Sequence, residues 1–317
     1  MPENGIRSRY SQSPFQLFMC DEYGVISTGS AFYFEASNGN LFLVTNWHNI
    51  SGRHYLTKKL LSKDARYPTC IKIKTCSRNL NGAMLPGDSF TTVASKYEIY
   101  RDEIPLWLEH PTLGSLCDVV ALPIQRSPNC PPNMHVASNR ISTMRIPVRP
   151  GTTVFVIGFP RAISVGFGLP LWKSGYIASE PFYDVTIGGE ISEVGGMTGG
   201  HTLPAFFIDS LTREGMSGSP VFASHTGNWN IKDPYQSLDP GGPEFWQSDE
   251  IVLGETGIEF VGCYSGRIGN QEEGAALGLC WRSDVIEKIC TTGLPAANPH
   301  APEAVQHQDS ADSGTSM

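Results

Sequence analysis

The sequence predicts an all-β protein built as two packed halves. Three observations carry this reading. Apolar residues come in short runs broken by turn residues, and 33 Gly and 23 Pro supply those turns. No helical period alternates with these runs in βαβ fashion. At 317 residues, the chain is longer than a single core fills comfortably.

Taken in order, residues 1–13 are polar and read as a flexible N-terminus. Short apolar runs follow at 15–19, 25–26, 31–34 and 41–45. Ser37-Asn38-Gly39-Asn40 is a hairpin turn, because Asn-Gly accepts positive φ. Strands are expected at 70–74, 90–93 and 98–100, and at 116–124, where Asp118 stands near the start of an otherwise apolar run. Residues 125–150, rich in Pro and Asn, connect the halves. A second series of strands is expected at 152–157, 172–178, 182–186, 203–208, 220–223, 260–264 and 276–280. Between them, 224–256 reads as a long polar insertion with exposed aromatics Trp229, Phe245 and Trp246. Ser283 N-caps a short helix, 284–290, that ends near Gly293. Residues 295–317 lack any apolar period and read as a disordered tail. The expected units are therefore a first half over 14–135 and a second over 136–294, flanked by the two tails.

Composition excludes several function classes. The net charge is −8, and no Lys/Arg cluster marks a nucleic-acid surface. No apolar segment is long enough to span a bilayer, and the N-terminus has neither the basic start nor the apolar core of a signal peptide. The expectation is a cytoplasmic protein without membrane contact. None of the eight cysteines forms a Cys-x-x-Cys pair, and the histidines are scattered, so no metal or other cofactor is expected. In a cytoplasmic chain the thiols stay reduced; in an exported one they would pair.

Three segments carry chemistry. Gly215-Met216-Ser217-Gly218-Ser219-Pro220 lies between two apolar runs and reads as strand, tight turn, strand. Its glycines let successive N–H donors converge on a forming oxyanion, with Ser217 placed to attack the carbonyl that becomes it. His48 follows the end of a buried strand, and Asp118 stands beside an apolar run, where a charge needs a partner. Taken singly, these residues also fit an ordinary turn, a satisfied histidine and a strand cap. Taken together, the order His, Asp, Ser is one of the known layouts of an acyl-transfer triad.

Val44-Thr45-Asn46-Trp47-His48, Asp118-Val119-Val120-Ala121-Leu122 and the Ser217 turn resemble the three catalytic motifs of trypsin-like serine peptidases over residues 14–293. The resemblance implies two six-stranded antiparallel β-barrels of chymotrypsin type, with the site in the cleft between them. It implies Ser217 as nucleophile, His48 as general base and acid, and Asp118 as its orienting partner. Backbone N–H groups of Gly215 and Ser217 would form the oxyanion hole. A peptide or protein substrate would lie along Tyr264, Ser265 and Gly266, with Ser265 supporting Asp118. Leu211, six residues before Ser217, would floor the specificity pocket and favour an apolar or small side chain, unless a different loop register puts the nearby acid Asp209 there.

The departures matter. Secreted relatives carry a cysteine beside the histidine, whereas here Asn49 follows His48. Zymogen-type relatives place an acid before the serine, and Met216 stands there instead. The pattern resembles intracellular bacterial members, with control by a regulatory partner rather than by N-terminal cleavage. The alternative is a peptide-binding module of the same fold with silent chemistry. An α/β-hydrolase would need a final glycine and a helix after the serine, but Ser219-Pro220 and an apolar run stand there.

Overall fold

The computed structural model describes residues 8–78, 90–125, 136–166, 168–188, 190–191, 197–236, 242, 250–268 and 277–301. Two antiparallel β-sheets dominate it. The first contains β1 (Pro14–Asp21), β2 (Gly24–Glu35), β3 (Leu41–Thr45), β4 (Cys70–Arg78), β5 (Phe90–Glu98), β6 (Leu108–Glu109) and β7 (Val120–Ile124). The second contains β8 (Thr153–Gly158), β9 (Leu171–Ile177), β10 (Ala205–Asp209), β11 (Pro220–Asn230), β12 (Ile251–Arg267) and β13 (Leu277–Arg282). A last strand, β14 (Leu294–Pro295), returns to the first sheet.

The second sheet closes on itself as a six-stranded barrel, in the order β8-β9-β10-β13-β12-β11. The first is an eight-stranded sheet, β14-β6-β7-β3-β2-β1-β4-β5, whose end strands are not paired with each other among the described residues. The fold is thus all-β and of chymotrypsin type, with a short C-terminal helix; of the two six-stranded barrels expected, the second is seen closed, while the first half is an eight-stranded half-barrel.

Local sequence explains the turns. Gly39 adopts φ +83° between β2 and β3, the left-handed geometry that the Asn-Gly pair predicts. At the β1–β2 hairpin, Asp21 accepts the Tyr23 N–H at 2.9 Å and a two-pronged contact from Arg66.

The halves share one core. Phe260 of β12 packs against Phe32 and Phe34 of β2 at centroid distances of 5.5 and 6.0 Å, and against Phe222 of β11 at 5.7 Å. Such offset and edge contacts add to the area these rings bury.

Several expectations need correcting. Residues 8–13 are folded: Arg9–Gln12 form a 3-10 turn, and Tyr10 packs edge-on against Trp172 and Phe222. An aromatic anchor outweighed the polar composition of this stretch. Residues 224–230 and 251–256 belong to a long β11–β12 ribbon rather than to a loop, with Thr226 and Thr256 paired across it at 2.7 Å. Trp229 is buried, its Nε1 donating to Arg145 O at 2.9 Å; Phe245 and Trp246 lie outside the described residues. The helix, α2 (Ser283–Thr292), begins at Ser283, with Arg282 as the N-cap.

Residues 295–301 are not disordered. Pro295 pairs with Leu108, the Ala296 N–H donates to Trp107 O, and the His300 ring stacks on Tyr67 at 3.7 Å. Residues 1–7 and 302–317 lie outside the description.

Candidate active site

Antiparallel register brings the functional residues together in two pairs. In the first sheet Thr45 of β3 lies opposite Val120 of β7. His48, three residues past Thr45, and Asp118, two residues before Val120, therefore leave the same end of the pair. In the barrel Pro220 of β11 lies opposite Cys263 of β12. Ser217, three residues before Pro220, and Ser265, two residues past Cys263, meet in the same way. The shared core sets these two ends face to face.

His48 sits on a short helix, α1 (Trp47–Ser51), stopped by Gly52 at φ +68°. The preceding Asn46 does not cap α1; its Nδ2 donates to Asp118 O at 2.7 Å. Asp118 is fully buried. Its Oδ1 accepts the His48 backbone N–H at 2.9 Å, while Oδ2 lies 2.7 Å from His48 Nδ1 and accepts Ser265 Oγ–H at 2.5 Å. Three donors around one carboxylate offset the cost of burying its charge. The same contacts leave His48 Nε2 as the ring nitrogen not engaged by Asp118.

Two partners hold the Ser217 turn. On the first sheet, Ser30 N–H donates to Ser217 O at 2.8 Å, and Ser30 Oγ–H to Gly215 O at 2.9 Å. Asn49 Nδ2 adds a bond to Ser217 O at 3.1 Å. On the barrel, the Gly218 N–H donates to Tyr264 O and the Tyr264 N–H to Ser219 O, both at 2.9 Å. Gly215 and Gly218 take φ +89° and +85°, values that glycine adopts without steric cost. Among the described residues, neither the Gly215 nor the Ser217 N–H donates to a backbone carbonyl.

His48, Asp118 and Ser217 line one cleft of about 230 Å³, with Ser265, Gly266 and Arg267 on one wall and His54, Tyr55 and Leu61 on another. Ser217 and His48 reach the cleft without a hydrogen bond joining them among the described residues. Burial lowers the His54 pKa, with the Asp118 charge opposing, and burial raises that of the Tyr55 phenol. The Cys117 and Cys263 thiols near Asp118 are fully buried and held well above their usual range, so they stay protonated.

The predicted binding residues divide. Ser265 and Gly266 line the cleft. Tyr264 does not: it is buried, its backbone is engaged by the Ser217 turn, and its hydroxyl bonds Thr212 Oγ1. Leu211 is no pocket floor, because it is 61% exposed and absent from the cleft lining. Counting back along the chain missed the path of this loop, in which Thr212 turns inward and Leu211 outward. Sequence reading also missed Ser30 and Arg267, and gave no role to Asn46 and Asn49, which it noted only as neighbours of His48. Only tertiary contacts distinguish them from ordinary strand, turn and surface residues.

Comparison with known proteins decides the family. The family model for the trypsin-like peptidase domain matches residues 29–229, more than half of the chain. The chain belongs to the trypsin-like peptidase family. No curated protein matches it. Among solved structures, it is similar to the active form of the Rv3671c protease from M. tuberculosis, at 13% identity and TM-score 0.43, covering 92% of this chain and 85% of that one. It is also similar to the protease Anisep from Arthrobacter nicotinovorans, at 16% identity and TM-score 0.40, over 88% and 93% of the two chains. Human heparin binding protein is similar at 14% identity and TM-score 0.40, over 93% and 99%. Among the described residues of this trypsin-like domain, no helix is long and apolar enough to cross a membrane.

Proposed function

We propose that this chain is a serine endopeptidase that cleaves peptide bonds through an acyl-enzyme. The observation that supports it is the chain of hydrogen bonds Ser265–Asp118–His48, which ends at the cleft that Ser217 also lines. In this reading, Ser217 Oγ attacks the peptide carbonyl carbon while His48 Nε2 takes its proton. The carbonyl oxygen becomes an oxyanion within reach of the Gly215 and Ser217 N–H groups. Collapse breaks the C–N bond as His48 returns the proton to the leaving amine. Water, deprotonated by His48, then releases the acyl group from Ser217. Asp118 holds the Nδ1–H tautomer and stabilises the imidazolium.

Substrate would pair with the Ser265–Gly266 backbone. Past Tyr264, which the Ser217 turn engages, β12 has no β11 partner among the described residues, so this edge is open to strand addition. Control by a partner rather than by N-terminal cleavage belongs to the same proposal. Met216, standing where a zymogen-type acid would, is fully buried in apolar packing. A reducing, cytoplasmic setting fits the free, buried thiols of Cys20, Cys70, Cys117, Cys263, Cys280 and Cys290.

The open contact between Ser217 and His48 favours one other reading, a peptide-binding module with silent chemistry. Labelling with a fluorophosphonate, combined with proteomic mapping of new termini, tests the proposal. The expected result is labelling and cleavage by the wild type and neither by Ser217→Ala. A folded wild type that labels nowhere and makes no new termini would leave the binding module as the reading.

A further inference from the structure

Arg267 is the one cationic side chain beside Ser217, Ser265 and Gly266 in the cleft lining. Its Nε–H and one Nη2–H both donate to Thr212 O, at 3.1 and 2.7 Å. A guanidinium carries five N–H donors, so three are left. Among the described residues, no carboxylate pairs with it. Asp118, the acid of the same cleft, is committed to His48 and Ser265. Thr212 also binds the buried Tyr264 hydroxyl through its Oγ1. Tyr264, Thr212 and Arg267 thus form one connected unit, whose exposed end is a fixed positive charge. Leu211 is turned to solvent, and Leu61, Ile268 and Leu279 supply the apolar part of the lining.

We propose that Arg267 sets specificity, and that the cleft takes a peptide with an Asp or Glu side chain beside the scissile bond. The proposal rests on the endopeptidase reading. The two bonds to Thr212 O hold the planar fork in place before substrate arrives, so less side-chain freedom is lost on binding. A carboxylate can then accept two parallel N–H bonds, which a neutral amide of the same shape cannot match.

The test uses one peptide sequence with Glu, Gln, Leu or Lys before the cleaved bond. Wild-type cleavage gives kcat/KM, and equilibrium binding to Ser217→Ala gives Kd. Glu is expected to exceed Gln by about tenfold in both measurements, the scale of a charge-assisted hydrogen bond at an exposed site. Arg267→Gln should abolish the ratio at unchanged Tm, and Arg267→Glu should turn preference towards Lys. Cleavage with a Glu/Gln ratio within twofold overturns the role of Arg267 and leaves the endopeptidase reading intact. Arg267-dependent binding of the Glu peptide without cleavage overturns the endopeptidase reading alone. Absence of both cleavage and binding overturns both.

Discussion

Replacing Gly218 with Ala tests how the serine turn is held. A Cβ built on Gly218 would lie 2.1 Å from Ser30 O and 2.5 Å from Thr45 Oγ1. Ser30 O is strand backbone and accepts the Thr45 hydroxyl at 2.8 Å, so it cannot swing away as a flexible side chain would. The turn itself has to retreat by about 0.9 Å to reach even a 3.0 Å contact. That retreat strains the Ser30 N–H bond to Ser217 O, now 2.8 Å, and carries Ser217 with it. A displacement near 1 Å at a reacting centre costs about 10²-fold in rate. The forced φ of +85° adds about 1–3 kcal/mol of instability. The assay is the rate of fluorophosphonate labelling at Ser217, read with a thermal melt. Gly266→Ala serves as the stability control, since its Cβ would meet nothing within 4 Å. Labelling of Gly218→Ala within threefold of wild type at unchanged Tm would refute the reasoning.

Other expectations follow from the same contacts. Ser30→Ala removes the donor to Gly215 O and the acceptor of the Phe159 N–H; unfolding in urea should show a loss of about 1–3 kcal/mol, and labelling should slow. Phe260→Ala empties the aromatic junction of the two halves and should cost about 3–5 kcal/mol, with a single transition retained; two separate transitions would contradict a shared core. Burial raises the Glu109 pKa, against the lowering effect of the Trp47 and Trp107 N–H donors and Lys58. A raised folded pKa means that the carboxyl contributes stability at low pH, and that this is lost as pH rises through its folded pKa. Glu109→Gln keeps an acceptor for both indoles, so it should be more stable than wild type at neutral pH, with the difference narrowing in acid. Melts at pH 4 and pH 7 check the sign.

What could be read from sequence, and what could not, has a physical pattern. The strands flanking the site were legible because period and turn chemistry are local: Asn38-Gly39 states its hairpin outright, and the apolar run of 41–45 is a buried strand in both accounts. The convergence of His48 and Asp118 was legible only through motif order, although register explains it once Thr45 is known to face Val120. Ser30 carried no signal, since a serine in a half-buried strand is commonplace. Its importance comes from the Ser217 turn, far away in sequence. Leu211 failed because a pocket floor depends on which way one loop residue turns, and a single residue of rotation exchanges inside for outside. Tyr10 and Trp229 failed for a related reason: in polar company, one large ring finds the core and takes its neighbours with it.

The return of β14 bears on how the molecule is made. The strand that flanks β6 comes after the whole barrel and α2 in the chain. During synthesis the first sheet must wait for residues 294–301 before its edge beside β6 is covered, long after its other members have left the ribosome. A fragment ending at residue 150 exposes that edge, and with it the backs of Trp107 and Tyr67. The order in which the strands of the first sheet are made therefore differs from the order in which its edge is completed, because β14 joins β6 only after the barrel and α2 have been made.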